Sequence, residues 1–189
     1  EMVEQRAGAD VLPRVHQVIK EPAELTWQDL PEQFALMPNH IIGQLKLVPA
    51  KDQEKPENVQ QLCGRLLQAV HGKKTNEHWY TQIDPRILFT QLLSNGSGEP
   101  PREYKLYVFH GRCEFIQVDQ RHPTPRRTLY SPDWQVQPVT IKFSQGPVED
   151  RPANLERMIE VAEKLGQGYD FLRVDLFSIS GQVLFNTVA

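Results

Sequence analysis

Phe171-Leu172-Arg173-Val174-Asp175-Leu176-Phe177 alternates between apolar and charged residues, the pattern of a strand with two unlike faces. Leu172, Val174 and Leu176 share one face. Arg173 and Asp175 share the other with Phe171 and Phe177. Such a second face is a solvated surface, a set of structural ion pairs, or a polar site. A second apolar strand, Gln182–Ala189, follows Ser178-Ile179-Ser180-Gly181. The two strands are expected to pair antiparallel, with Leu172, Val174 and Leu176 beneath helix 56–71 or helix 153–165.

Those helices are the next signals outward. Across 56–71, Val59, Leu62, Cys63, Leu66, Leu67 and Val70 make one apolar stripe, with Pro56 before it and Gly72 after it. Across 153–165, Leu155, Met158, Ile159, Ala162 and Leu165 form the second stripe, closed by Gly166. Strands are expected at 12–19, 45–48, 87–93, 104–110 and 113–119, the last two joined through Gly111-Arg112. Met2–Ala7 reads as the end of a helix closed by Gly8, and Phe34–Met37 as a brief apolar run. Pro123, Pro125, Pro132 and Pro138, with Arg121, Arg126 and Arg127, make 120–138 read as a basic, irregular loop. Mixed strands and two amphipathic helices give an α+β class.

Composition narrows the function classes. The 189 residues carry 21 Lys+Arg against 24 Asp+Glu, a net charge of −3. This excludes binding to nucleic acid by bulk charge. No apolar run approaches the ~20 residues of a bilayer crossing, so no membrane insertion is expected and the protein reads as cytoplasmic. Cys63 and Cys113 stand apart, without zinc or disulfide spacing. Glu1 is not an initiator methionine, and Ala189 falls inside a strand pattern, so the sequence reads as trimmed at both ends.

The isolated polar residues divide between chemistry and plain structure. Lys105 lies in an apolar strand, where it must snorkel or meet an anion. Asn39-His40 after Pro38 suits acid/base or anion-binding work, and equally a satisfied structural pair. Arg121, Arg126 and Arg127 suit phosphate or carboxylate, or a solvated loop. His71, His78, His110 and His122 lack metal-ligand spacing. Ser94-Asn95-Gly96-Ser97-Gly98 lacks a P-loop ending and reads as a turn.

Taken in order, these residues resemble the TupA-like ATP-grasp proteins of teichuronopeptide and other cell-surface polysaccharide biosynthesis. The likeness runs through Leu30-Pro31, Pro38-Asn39-His40, His78-Trp79-Tyr80 and Pro85-Arg86-Ile87. It continues through Glu103-Tyr104-Lys105, Phe115–Asp119, Tyr130, Asp133-Trp134, Met158–Leu165 and Phe171–Leu176. It implies an α+β, ATP-grasp-like fold of two lobes with antiparallel sheets and packed helices, incomplete at both ends. The lobes would be 1–93 and 94–189.

The resemblance also implies ATP and Mg²⁺ as cofactors, and a carboxylate–amine ligase acting on a carboxylate with an amine or glycan-linked acceptor. Arg173 and Lys105 would be catalytic cations, Asp175 the metal-binding acid, and Lys105, Asn39, His40, Gln91 and Leu92 nucleotide-binding. Where the family pattern has a lysine, a Gly-Ser-Gly-like loop and a metal-binding Glu, this chain has Met37, Ile41-Ile42-Gly43 and Thr187. That leaves two expectations: a ligase-like protein with a partly degraded nucleotide site, or a pseudoenzyme serving as a binding or scaffold module.

Overall fold

The computed structural model describes residues 2–70, 78–94, 101–120 and 123–189, with residues 78 and 79 as backbone only. The expectations for His71, Asn95–Gly98, Arg121 and His122, and for the side chains of His78 and Trp79, fall outside these residues. Two compact units are present: 13–93, and 94–189 together with the N-terminal twelve residues.

The unit of residues 13–93 is built on β1 (Val15–Ile19), β2 (Phe34–Pro38), β3 (Lys46–Val48), α2 (Pro56–Gln68) and β4 (Ile87–Gln91). The strands form an antiparallel sheet in the order β1-β4-β2-β3. One face buries Ile19, Phe34, Leu36, Val48, Ile87 and Phe89 against Val59, Cys63 and Leu66 of α2. Leu62 and Leu67 pack beside them, so the stripe is satisfied by packing over Val59–Leu67, while Val70, expected to extend it, lies beyond the helix and is 60% exposed. Burial pushes the Cys63 thiol up to about 11, leaving it an inert core residue.

The second unit contains β5 (Arg102–Phe109), β6 (Arg112–Gln120), β7 (Arg126–Tyr130), α3 (Leu155–Gly166), β8 (Phe171–Ile179) and β9 (Gln182–Val188). Its sheet is antiparallel, in the order β7-β6-β5-β8-β9. Tyr104, Leu106, Val108, Ile116, Val118, Val174 and Leu176 line one face and meet Leu155, Met158, Val161, Ala162 and Leu165 of α3. The β8–β9 hairpin forms as expected. Of the two helices open to it, α3 is the one that packs on this face. Val174 and Leu176 are fully buried, whereas Leu172, nearer the strand start, is only partly covered.

Two features differ from the sequence reading. The first twelve residues, expected with the first lobe, add α1 (Met2–Ala7) to the second unit. Val3, Ala7 and Val11 recur every fourth residue and join the α3 core, and the Arg6 guanidinium donates to the carbonyls of Leu165 and Gln167. Segment 120–138 also holds a strand, β7, which pairs with β6 from Ile116↔Tyr130 to Gln120↔Arg126. Beyond it, Tyr130 and Trp134 stack at 4.0 Å. The Trp134 indole N–H donates to the Glu149 carbonyl, and the Glu149 amide donates to the Tyr130 hydroxyl. Those bonds, with an isolated antiparallel bridge between Tyr130 and Val136, hold the proline-rich stretch.

Gly166 ends α3 where it crosses β5. A Cβ there would lie 2.4 Å from Val108 Cγ1 and 3.1 Å from Val108 Cβ. Gly→Ala elsewhere gains about 0.4–1 kcal/mol through the unfolded chain. Here overpacking against a stiff β-branched side chain outweighs it. Gly166→Ala is expected to lower stability by about 1–2 kcal/mol in urea denaturation. A rise in the midpoint would show that α3 shifts freely on β5.

Candidate functional site

The face of the five-stranded sheet opposite α3 carries the charged residues. Lys105 on β5 stands opposite Asp175 on β8 and Gln117 on β6, while Tyr107 stands opposite Arg173 and Phe115. Asp119 faces Arg127 on β7, and Asp175 faces Thr187 on β9. Residues directly opposite across strands share a face, so the register places Lys105, Arg173 and Asp175 side by side.

Arg173, Lys105 and Arg127 on this face each have a carboxylate. Arg173 makes a two-pronged contact with Asp175, Nε to Oδ1 at 2.7 Å and Nη2 to Oδ2 at 2.9 Å. Asp175 is only 3% exposed. Burial pushes its carboxyl above the ordinary value, more than the Arg173 guanidinium pulls it down. Lys105 Nζ lies 3.0 Å from Asp119 and 3.4 Å from Glu103. Burial works against that ammonium, but the two acids outweigh it and its pKa is raised.

Asp119 is a hub that the sequence reading did not single out. It accepts from Lys105, from Gln117 at 2.9 Å, and from Arg127 at 2.7 and 3.1 Å. The Tyr107 hydroxyl donates to Gln117 at 2.7 Å and extends the network. The sequence signals were Asp119 closing the Phe115–Asp119 run of the resemblance and its strand parity with Gln117. Its importance comes from two cross-strand registers.

The net effect on Asp119 has a measurable sign. Burial opposes its ionisation, but hydrogen bonds from Arg127 and Lys105 hold its pKa below the ordinary 3.8. Its contribution to stability is therefore present above the unfolded value and lost as pH falls through the lower folded value. Asp119→Asn is expected to be about 1–3 kcal/mol less stable than the native chain at pH 6. The gap should shrink towards zero below pH 3. A gap independent of pH would mean that the carboxylate charge is not what holds Lys105 and Arg127.

Of the other sequence candidates, Asn39, His40, Met37, Ile41, Ile42, Gln91 and Leu92 lie in the unit of residues 13–93, and His110 and Arg126 in the other. The Asn39 amide donates to the Asp84 carbonyl at 3.0 Å and accepts from the Arg86 amide at 2.8 Å. The buried His40 ring sits 3.1 Å from the Leu66 carbonyl at the end of α2 and 3.3 Å from Asn39 Oδ1. Met37 is half-buried opposite Leu88. Ile41 turns inward onto the core, leaving Ile42 57% exposed. Gln91 is exposed at the end of β4, and Leu92 is partly covered. Arg126 donates to the Gln145 carbonyl. His110 lies 3.6 Å from Asp170.

Among the described residues, no three His, Cys, Asp or Glu side chains gather as a metal cluster. A single cation with other ligands of its own is a different case. A carboxylate offers about four acceptor positions, and Asp175 spends two on Arg173. Thr187 adds a neutral oxygen across the ladder, while Glu103 is engaged by Lys105 and Asn186. This donor set fits Mg²⁺ only where water and phosphate complete its octahedron.

Two antiparallel sheets, each packed on a helix and one of them with an ionic open face, have known counterparts. The profile of TupA-like ATP-grasp proteins matches residues 1–188. The chain belongs to that family. No curated protein matches it. Among solved structures, D-alanine–D-alanine ligase from Bacillus anthracis, complexed with ATP, covers 98% of this chain at 14% identity and a TM-score of 0.54. L-amino acid ligase from Bacillus licheniformis covers 99% at 15% identity and a TM-score of 0.52. The ATP-grasp ligase PsnB, complexed with a minimal precursor, Mg and ADP, covers 100% at 12% identity and a TM-score of 0.50. The TupA-like chain spans 51%, 40% and 46% of those three proteins. It thus has the ATP-grasp fold over about half their length. Among its described residues, no helix is long and apolar enough to cross a membrane.

Proposed function

We propose that this chain is the ATP-grasp part of a carboxylate–amine ligase-like protein of cell-surface polysaccharide biosynthesis, teichuronopeptide-like, with a weakened nucleotide site. The observation that carries the reading is the adjacency of Lys105, Arg173 and Asp175 on one open sheet face. In this reading Lys105 steadies a phosphate, and Arg173 steadies the oxyanion of the carboxylate undergoing activation. Asn39, His40, Gln91 and Leu92 belong to the nucleotide side, with Asn39 and His40 acting through the loop they fix rather than by direct contact. Asp175 would hold Mg²⁺, whose chemistry is to neutralise phosphate charge. The expected setting is cytoplasmic.

A second reading, a pseudoenzyme that keeps the frame as a binding module, is favoured by Thr187 opposite Asp175 and by the apolar Met37. Calorimetry with ATP and Mg²⁺ separates the two. Weak but metal-dependent heat supports the degraded ligase. No heat at millimolar nucleotide supports the pseudoenzyme.

A further inference from the structure

The open face of the five-stranded sheet changes character along its strands. Towards the β5–β6 turn, the charged residues give way to Tyr107, Phe109, Phe115 and Phe171. Phe109, Phe115 and Phe171 are 38%, 44% and 46% exposed. The Phe109 and Phe171 rings lie 5.0 Å apart, and Tyr107 and Phe171 lie 6.2 Å apart. Isolated apolar residues on a surface are ordinary, but a contiguous aromatic shelf marks a place of contact.

The charges beside the shelf say what it fits. Arg173, two residues along β8 from Phe171, uses Nε and Nη2 on Asp175. Its Nη1 has no hydrogen bond among the described residues, so two N–H donors stay available on a guanidinium held in place by its own carboxylate. At the other end, Arg112 is opposite Phe109 in the ladder and has no ion-pair partner among the described residues. The acids at this end are Glu114, exposed, and Asp170, which faces His110. Apolar walls with one or two directed polar groups are the usual composition of a small-molecule site.

We infer that this shelf binds the body of a ring-bearing carboxylate, its ring against Phe109, Phe115 and Phe171 and its carboxylate on Arg173 Nη1. The inference rests on the reading of this face as the ligand side, and it adds the class of the carboxylate substrate. Arg173 provides the charge complement, and the aromatic faces reward a flat or compact ring over an extended chain. A ring next to Arg173 also displaces water from the guanidinium, which strengthens its contact with the anion.

The test titrates the intact chain with benzoate and with cyclohexanecarboxylate, following amide resonances by NMR. Acetate is the comparison that lacks a ring, and benzyl alcohol the one that lacks charge. Saturable shifts centred on Phe109, Phe171 and Arg173 are expected for the two ring carboxylates. Acetate and benzyl alcohol should each bind at least tenfold more weakly. A preference for benzoate identifies an aromatic ring, and equal binding identifies any compact ring. The double substitution Phe109→Ser with Phe171→Ser, on an exposed surface, should abolish the shifts while the remaining spectrum stays native. Acetate matching benzoate would overturn the inference, as would unchanged binding by the double variant. So would sedimentation showing that the shelf pairs two copies of the chain. No nucleotide is present in the titration, so a failure of ATP binding and a failure of the shelf read out separately.

Discussion

Carrying Met37→Lys, Ile41→Gly, Ile42→Ser and Thr187→Glu together, the chain is expected to bind Mg-ATP measurably, and the native chain is expected to bind it poorly. The family pattern places an ammonium, a side-chain-free loop and a metal-binding acid at these positions. A contact to a charged group contributes roughly 1.5–3 kcal/mol, and ~1.4 kcal/mol is tenfold in affinity. Losing several weakens binding by orders of magnitude, although neighbouring contacts do not add. The loop needs both substitutions because glycine-rich loops approach phosphate by lacking side chains. Ile41 also packs on the core, so its removal lowers stability, and a native circular dichroism spectrum is part of the readout. Calorimetry that finds tight ATP binding by the native chain would overturn the degraded-site reading. No recovery in a folded fourfold variant would place the missing contacts outside these four positions.

Asp175→Ala is expected to lower stability by about 1–3 kcal/mol, measured as the loss of free energy in urea denaturation. Asp175 is almost wholly buried, and both its oxygens face Arg173. Deleting the carboxylate leaves the Arg173 guanidinium, 31% exposed, unmatched on its inner side, a loss that solvent makes good only in part. Replacing Arg173 and Asp175 together, Arg173→Met with Asp175→Leu, is expected to recover most of that loss. If Asp175→Ala were neutral, water would be replacing the carboxylate in full, and the carboxylate would be held for its chemistry alone.

Much of the frame was readable because it depends on local period. The stripes of α2 and α3 and the two-residue alternation of β8 state which face is buried, and the structure buries those faces. β7 escaped because its five residues sit between prolines and begin with two arginines. What makes Arg126–Tyr130 a strand is the free edge of β6, which no local pattern records. The N-terminal helix was legible through Val3 and Ala7, but the core that receives it is built from residues more than a hundred positions later. The same limit applies to the candidate site. Arg173 and Asp175 are neighbours on one strand and could be paired by eye. Lys105 joins them only through the β5–β8 register, and Asp119 and Arg127 only through β6 and β7.

The docking of residues 2–12 on the α3 core sets an order of assembly during synthesis. The ribosome releases a chain from its N-terminal side, so Val3, Ala7 and Val11 emerge before the rest of both units and wait for Met158 and Leu165. The intervening residues 13–93 form a unit whose own strands and α2 are complete within that span, and they can fold while the helix that precedes them is still unpartnered. The five-stranded sheet, by contrast, closes only when β8 and β9 have been made. Residues 2–12, made before the rest of both units, are therefore among the last to find their place, and the central strand pair β5–β8, which brings Lys105 beside Asp175, forms in the same late step.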